Sequence, residues 1–171
     1  MKGPADIGIR CSVATFRGDS ILLVHRNWDD ADDWVLPGGT PRPGESMTAC
    51  ARRETLEETG LRVDPSRIAF VLEALGDNRR SVDLVFLASC PPRGGSGLAE
   101  EGLDAMFVPL GALPGLRLRP PIAGYLRALH ARGPARAAAY LGNLWPPDGG
   151  NGTSPVPETA RTGSWESSGW Q

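Results

Sequence analysis

The chain reads GTPRPGESMTACARRETLEETGL from Gly39 to Leu61, and this stretch constrains fold and function more than any other. Helical spacing places Glu54, Glu57 and Glu58 at i, i+3 and i+4, so their carboxylates share one patch of surface. The last two lie in the final turn before Gly60, where the helix dipole is already negative. Because like charges at this spacing also repel, the pattern indicates a compensating cation, and hard divalent ions such as magnesium prefer oxygen ligands of this kind.

The same residues resemble the Nudix box. Its pattern is a glycine, a glutamate six positions later and, eight positions further on, the run Arg-Glu-aliphatic-any-Glu-Glu-any-Gly-aliphatic. The matching positions are Gly39, Glu45, Arg53, Glu54, Glu57, Glu58, Gly60 and Leu61. Thr55 departs from the pattern, which usually has Ile, Leu or Val there, and it exchanges a methyl group for a hydroxyl at similar volume. So many specified positions over one long spacing make this a strong signal.

The resemblance implies an enzyme that uses water and a divalent metal to cleave the diphosphate linkage of a nucleoside diphosphate joined to another group. It implies metal ligands at Glu54, Glu57, Glu58 and the carbonyl of Gly38, with Mg2+ as the cofactor and Mn2+ as a substitute. It also implies that Arg53 orients the catalytic glutamates rather than touching the substrate. The alternative, an ordinary solvated acidic helix end, is disfavoured by the dipole penalty.

The general base has two candidate sources, because Nudix enzymes draw it either from the box helix or from an acid in a later loop. Here Glu100 and Glu101 follow a Gly-rich segment, and Glu101 lies six residues before Phe107, where relatives carry an acid ahead of the last strand. A solvated loop acid is the alternative interpretation of Glu101. The candidate catalytic residues are therefore Arg53, Glu54, Glu57 and Glu101.

Four residues are candidates for substrate binding. Gly38 and Gly39 match the residues that usually precede the box in the family. They bring the loop backbone close to the expected metal site, where a side chain would obstruct. Arg26 ends a predicted strand where relatives place a basic residue near phosphate, although an arginine at a strand end is often merely exposed. Trp34 fits two interpretations equally, stacking on a base and packing in the core.

Composition limits the partners of the chain. A net charge of −2, from 18 basic and 20 acidic residues, predicts no binding to nucleic acid. No apolar run is long enough to span a membrane and the N-terminus lacks the apolar core of a signal peptide, so we expect a cytoplasmic protein. The cysteines Cys11, Cys50 and Cys90 are widely spaced, which predicts reduced thiols rather than disulfides or a zinc site. The expected partner is a small-molecule nucleotide, and both a monomer and a homodimer remain open.

The remaining sequence predicts strands around the box helix and a closing helix. The predicted strands are Ile7–Phe16, Ser20–His25, Arg67–Leu75, Ser81–Ala88 and Ala105–Leu110, with a turn at Gly18-Asp19 and an acidic loop over 29–33. Pro120-Pro121 opens the second helix and Gly133 ends it. This order predicts an α/β fold, a Nudix-type α/β/α sandwich with a central mixed β-sheet, which the resemblance also implies.

Two regions differ sharply in composition. We predict a Nudix hydrolase domain over residues 1–145, of which 6–131 carry the resemblance. Residues 146–171 are dominated by Pro, Gly, Ser and Thr, which predicts a tail that is disordered or loosely docked.

The substrate is less constrained than the reaction. A nucleoside triphosphate or deoxynucleoside triphosphate, including an oxidised one, is the leading expectation, and ADP-ribose or a nucleotide sugar is a close competitor. The sequence lacks the downstream proline and tyrosine that mark the ADP-ribose and dinucleoside-polyphosphate branches, as well as the coenzyme A and NADH motifs. A module that senses nucleotides without hydrolysing them is a further alternative, which the complete set of box acids disfavours.

Overall fold

The computed structural model describes residues 6–28, 31–75, 79–90, 104–133 and 138–144, and within these ranges the chain forms nine strands and two α-helices. The strands are β1 Asp6–Arg17, β2 Ser20–Trp28, β3 Ala31–Val35, β4 Gly38–Gly39, β5 Asp64–Leu75, β6 Arg79–Ser89, β7 Asp104–Pro109, β8 Arg117–Arg119 and β9 Ala139–Asn143. The helices are α1 Met47–Thr59 and α2 Ala123–Arg132, and a short 3-10 turn spans Leu113–Gly115.

The strands form one mixed sheet in the order β8-β3-β2-β1-β6-β5-β9, with β4 paired to β1 and β7 paired to β2. β1 runs parallel to β6 along most of its length, whereas β1 and β2 are antiparallel partners only next to their hairpin turn. Away from that turn, β7 pairs with β2 and β4 pairs with β1 at Cys11 and Ser12. The two strands of the hairpin therefore belong to two separate halves of the sheet.

The helices cover opposite faces of the sheet. Because successive strand residues point to opposite sides, Val13 packs in a cluster with Cys50 and Ala51 of α1, while Ala14 packs with Tyr125 and Leu126 of α2. This arrangement confirms the predicted α/β/α sandwich with a mixed sheet.

Several predicted bounds change. The hairpin and the next two predicted strands are present and longer, and the last predicted strand is shifted by one residue to Asp104–Pro109. Asp32 and Asp33 of the predicted acidic loop lie in β3 instead. Their backbone finds a partner in β2, which outweighs the low strand propensity of aspartate. Helix α2 begins at Ala123 rather than at the two prolines, because Ile122 is the N-cap residue and its carbonyl accepts the N–H of Leu126. Strands β8 and β9 were not predicted, and the tail over 146–171 lies outside the described residues.

The cysteines agree with the prediction, since Cys11, Cys50 and Cys90 are all free thiols and the first two are buried. Burial raises the pKa of the Cys11 thiol to about 12. Among the described residues, neither helix has the length and apolar character needed to cross a membrane.

Candidate active site

The box helix α1 has a defined cap at each end, as the sequence predicts. The hydroxyl of Ser46 accepts the N–H of Ala49 at 3.2 Å, and Gly60 adopts a left-handed conformation with φ 70° and donates its N–H to Leu56. These caps fix the helix bounds so that Glu57 and Glu58 fall in the last turn. The carboxylates of the box therefore lie where the helix dipole disfavours them.

Arg53 connects three carboxylates of the box. Its Nε and Nη2 donate to the two oxygens of Glu45, both at 2.8 Å, and its Nη1 donates to Glu54 at 2.6 Å and Glu57 at 3.0 Å. The hydrogen bond to Glu45 is the main reason that the pKa of Arg53 is raised. The same bond, with the N–H of Arg42, lowers the pKa of Glu45 to about 2. A single planar guanidinium thus fixes the relative positions of these acids.

Glu58 faces inward from the same turn and is only 3% exposed. One of its oxygens accepts the backbone N–H of Gly38 at 2.9 Å, and the other accepts a hydrogen bond from Nη2 of Arg26. Burial raises the pKa of Glu58, and the Gly38 N–H and the Arg26 charge oppose that rise. Glu58 therefore links the box helix, the glycine pair and the end of β2.

Of the two glycines ahead of the helix, Gly38 admits no side chain because backbone atoms surround it, whereas a side chain at Gly39 would require the Glu54 carboxylate to move. A Cβ on Gly38, whose φ is 154°, would lie 2.3 Å from the carbonyl oxygen of Cys11. A Cβ on Gly39 would lie 2.3 Å from the carboxylate carbon of Glu54. The predicted close approach of this backbone to the box acids is therefore present, and the close contact is with Glu54.

The donor set around Gly39 is suited in chemistry to a hard divalent cation. Glu54, Glu57 and Glu58 supply carboxylate oxygens on one end of α1, and the Glu54 carboxylate lies in a cradle that the absent side chain of Gly39 leaves open. Within the described ranges no three acidic, histidine or cysteine side chains stand together as a metal-binding group, and the box acids are paired with Arg53 and Arg26. The metal ligands named from the sequence remain a prediction.

A cavity of about 330 Å³ is lined by residues of both halves of the sheet, and none of its lining residues belongs to α1. Three arginines and three acids line it: Arg10, Arg26, Arg119, Asp33, Glu73 and Asp83. Each arginine lies beside an acid, since Arg26 contacts Glu58, Arg119 approaches Asp33 at 3.5 Å and Arg10 approaches Asp83 at 3.7 Å. The Arg26–Glu58 pair connects the cavity to the box helix.

The sequence did not identify the polar group at the wall formed by β1 and β6. There the hydroxyl of Ser12 lies 2.8 Å from both oxygens of Asp83 and accepts a hydrogen bond from Nε of Arg10 at 3.1 Å. Burial raises the pKa of Asp83 to about 6, against the opposing effects of Arg10 and Ser12. The available signal was a set of polar residues at alternate positions of otherwise apolar strands, which places them on one face.

The other predicted site residues differ in where they lie relative to the cavity. Arg26 lines the cavity, as a substrate-binding residue would. Trp34 is not among the cavity residues; it stacks on His25, with ring centroids 4.7 Å apart, and packs against the core. Glu100 and Glu101 lie outside the described residues, so the choice of general base stays a prediction.

The described residues form an α/β domain in which two helices cover a mixed sheet, with an acidic end on one helix and a charged cavity in the sheet. The family model described as NUDIX domain matches residues 7–129, most of the chain. The chain therefore belongs to the NUDIX family.

Two relatives whose names state an activity are each 34% identical to part of this chain. The chain is 34% identical over 102 residues to "8-oxo-dGDP phosphatase NUDT18" of Homo sapiens, an alignment that covers 56% of this chain and 30% of that protein. It is 34% identical over 110 residues to "Putative ADP-ribose pyrophosphatase YjhB" of Bacillus subtilis strain 168, covering 60% of this chain and 50% of that protein. The chain thus spans half or less of the length of these curated relatives.

A solved structure with the same fold is a NUDIX hydrolase from Nitrosomonas europaea. It superposes with a TM-score of 0.65 at 19% sequence identity, covering 77% of this chain and 91% of that one. At this identity the likeness supports the fold.

Proposed function

We propose that this protein is a divalent-metal-dependent pyrophosphohydrolase that cleaves the diphosphate linkage of a nucleoside diphosphate derivative. The observation that carries the proposal is the arrangement of the box acids beside a cavity. Arg53 holds Glu54 and Glu57 at one side, and Glu58 is joined to the cavity through Arg26. The family to which the chain belongs adds independent support.

The reaction requires that a water molecule approach an anionic diphosphate. Glu54, Glu57, Glu58 and the Gly38 carbonyl would hold Mg2+, which supplies charge neutralisation and lowers the pKa of water when bound. Arg53 keeps Glu54 and Glu57 in position, and its pairing with Glu45 keeps the guanidinium itself in place. Arg26 presents a cation at the cavity wall, where a phosphate group of the substrate would meet it.

The leading substrate class is a nucleoside triphosphate or deoxynucleoside triphosphate, including oxidised forms, and the human relative named for 8-oxo-dGDP supports a purine nucleotide. ADP-ribose or a nucleotide sugar is the second candidate, which the relative named for ADP-ribose favours. In either case the bond broken is a phosphoanhydride P–O bond, and water supplies the hydroxyl group to one phosphorus and a proton to the other product. The proposed residues act on this shared diphosphate unit.

A phosphate-release screen tests the proposal. The purified chain is incubated with nucleoside triphosphates, 8-oxo-dGTP, ADP-ribose and nucleotide sugars at neutral and alkaline pH, with Mg2+, with Mn2+ and with EDTA. After each incubation, inorganic pyrophosphatase with excess Mg2+ reveals pyrophosphate released from the triphosphates. Alkaline phosphatase with excess metal is used only for ADP-ribose and the nucleotide sugars, which carry no terminal phosphate, to reveal their monophosphate products. We expect turnover that requires the metal, and the absence of turnover on every substrate at both pH values would contradict the proposal.

A further inference from the structure

Each acid of the cavity has a cation nearby, at 2.8 Å for Asp33, 3.7 Å for Asp83 and 3.8 Å for Glu73. Asp83 differs from the others in that its hydrogen-bond donor, Ser12, itself lines the cavity. Asp33 lies 2.8 Å from Nε of Arg117 and 3.5 Å from Nε of Arg119, and Glu73 accepts the phenolic hydroxyl of Tyr140 at 2.7 Å. Asp83 instead meets the hydroxyl of Ser12, with the nearest guanidinium nitrogen 3.7 Å away.

The carboxylate of Asp83 keeps acceptor capacity for a ligand. An ionised carboxylate offers about four lone-pair sites. Ser12 has a single hydroxyl proton, so at any instant it can bond only one of the two oxygens that it approaches at 2.8 Å. Arg10 directs its Nη2 to the carbonyl of Leu36 at 3.1 Å and its Nε to Ser12, so it positions the hydroxyl rather than saturating the acid. The Asp83 side chain retains 15% exposure, and it lines the cavity.

The rest of the cavity favours a flat, apolar ring near this acid. Val35, Leu36, Leu72 and Pro120 supply apolar walls. Apolar walls with a few placed polar groups are typical of pockets that bind aromatic ligands, and they desolvate a sugar at greater cost than a base. Arg26 and Asp83 line the same cavity, so a ligand whose phosphates meet Arg26 has room to place its nucleobase against Asp83.

We propose that Asp83 is a specificity-determining residue that selects guanine by accepting hydrogen bonds from N1–H and the 2-amino group. This inference rests on the proposed function, since it assumes that the site takes a nucleotide. Guanine is the common base whose pairing edge carries two adjacent donors, matching the two oxygens of one carboxylate. Hypoxanthine keeps N1–H but lacks the amino group, and adenine presents an acceptor at N1.

Equilibrium binding by the wild-type protein is the first test. GMP, IMP and AMP are titrated separately into the full chain with Mg2+, by calorimetry or by NMR line shifts. We expect GMP to bind at least tenfold more tightly than IMP, because a polar site built for a donor is left with an unmet acceptor when that donor is missing. Equal binding of GMP and IMP would overturn the inference. If Asp83 contacted the ribose hydroxyls instead, GMP and IMP would also bind equally, because both ligands carry the same ribose.

Variants then assign the preference to the residue. Asp83→Asn presents one donor and one acceptor, so the GMP-over-IMP ratio should fall towards one. Asp64→Asn makes the same chemical change at a surface acid that is paired with Arg52 and does not line the cavity, and it should keep the wild-type ratio. Equal ratios in the two variants would assign the preference elsewhere and overturn the role of Asp83. Circular dichroism and the unfolding midpoint show that each variant is folded, and the wild-type comparison is decisive without either variant.

Hydrolysis of GTP in the same samples separates the two proposals. Selective GMP binding without hydrolysis of any nucleotide would keep the role of Asp83 and contradict the proposed enzyme activity. Hydrolysis of GTP and ITP with equal kcat/KM would keep the activity and overturn the role of Asp83. Absence of binding by all three monophosphates would overturn the base-recognition inference.

Discussion

The guanidinium of Arg53 is a residue-scale determinant of the site, because its nitrogens contact Glu45, Glu54 and Glu57 at 2.6 to 3.0 Å. Lysine carries the same charge but offers one nitrogen, so it cannot bridge three carboxylates in a plane. We predict that Arg53→Lys lowers kcat at least tenfold with a smaller change in KM, measured by steady-state phosphate release. Arg52→Lys is the matched control, since Arg52 contacts Asp64 at the surface. A similar kcat in both variants would contradict the positioning role.

Glu57 is the most exposed of the three acids that end the box helix, with 43% of its side chain accessible. If it serves as a metal ligand, its negative charge is required, and an amide of the same shape cannot replace it. We predict that Glu57→Gln lowers kcat/KM by at least two orders of magnitude while the unfolding midpoint stays within a few degrees. Glu73→Gln is the control, and a rate within threefold of wild type for Glu57→Gln would remove Glu57 from the catalytic set.

The contacts of Thr55 explain why a threonine fits at this position, where the family pattern usually has an aliphatic residue. It is fully buried in α1, and its hydroxyl donates to the carbonyl of Ala51 at 2.8 Å, so the polar group is satisfied within the helix. Valine keeps the volume and removes the hydroxyl together with its local bond, whereas serine removes a buried methyl group. We predict that Thr55→Val changes the free energy of unfolding by less than about 1 kcal/mol and that Thr55→Ser lowers it by about 1 kcal/mol. Urea titrations check both, and a Thr55→Val loss larger than that of Thr55→Ser would show that the hydroxyl matters more than the methyl.

At the scale of elements, local signals account for what the sequence predicts well. Helix α1 was predicted because its caps Ser46 and Gly60 and its acid spacing all lie within one short stretch. Strands β3 and β8 were missed because they depend on pairing between distant segments: β3 pairs with β2 and with β8, and Arg117 of β8 contacts Asp33 of β3. In the fold these strands bring opposite charges together, whereas the same charged residues, considered in the sequence alone, indicate a loop.

The cavity was missed for the same physical reason. Ser12 and Asp83 are 71 positions apart, and only the parallel pairing of β1 with β6 brings them together. No local pattern encodes that distance, so the sequence named Arg26 from its strand end but not Asp83.

The strand pair β1–β6 carries a stability cost that depends on pH. Burial raises the pKa of Asp83 from 3.8 to about 6, so the folded state binds a proton more tightly than the unfolded state. Stability from this group is therefore fully present below pH 3.8 and is lost as the pH rises through 6, a change of roughly 3 kcal/mol. We predict that Asp83→Asn gains stability relative to wild type between pH 4 and pH 7, measured as the difference in unfolding free energy at each pH.

The difference between the two proteins isolates this group from acids that titrate the other way, such as Glu45, whose pKa is lowered to about 2. A wild-type-minus-variant difference that stays constant from pH 4 to pH 7 would contradict the assigned proton.

For the whole molecule, the question is where the folded domain ends along the chain. The family match ends at residue 129, yet β9 adds a parallel partner to β5 after that point, and Leu141 and Leu144 pack against the core. The composition of residues 146–171 predicts that they contribute no core. A domain that ends at residue 145, as predicted, therefore includes β9, whereas a domain that ends with α2 lacks it, and the two should differ in stability.

Two truncations test that boundary. A chain that stops at residue 145 should unfold at the same urea concentration as the full chain and hydrolyse nucleotides with the same kcat/KM. A chain that stops at Gly133 should lose at least about 2 kcal/mol of unfolding free energy, because it lacks Leu141 and Leu144, which pack against the core, and leaves the β5 edge unpaired. Equal stability of the two truncations would mean that β9 is dispensable, whereas a loss of stability or activity in the longer one would assign a role to the tail. Because both lack residues 146–171, any difference between them reports on the segment that contains β9.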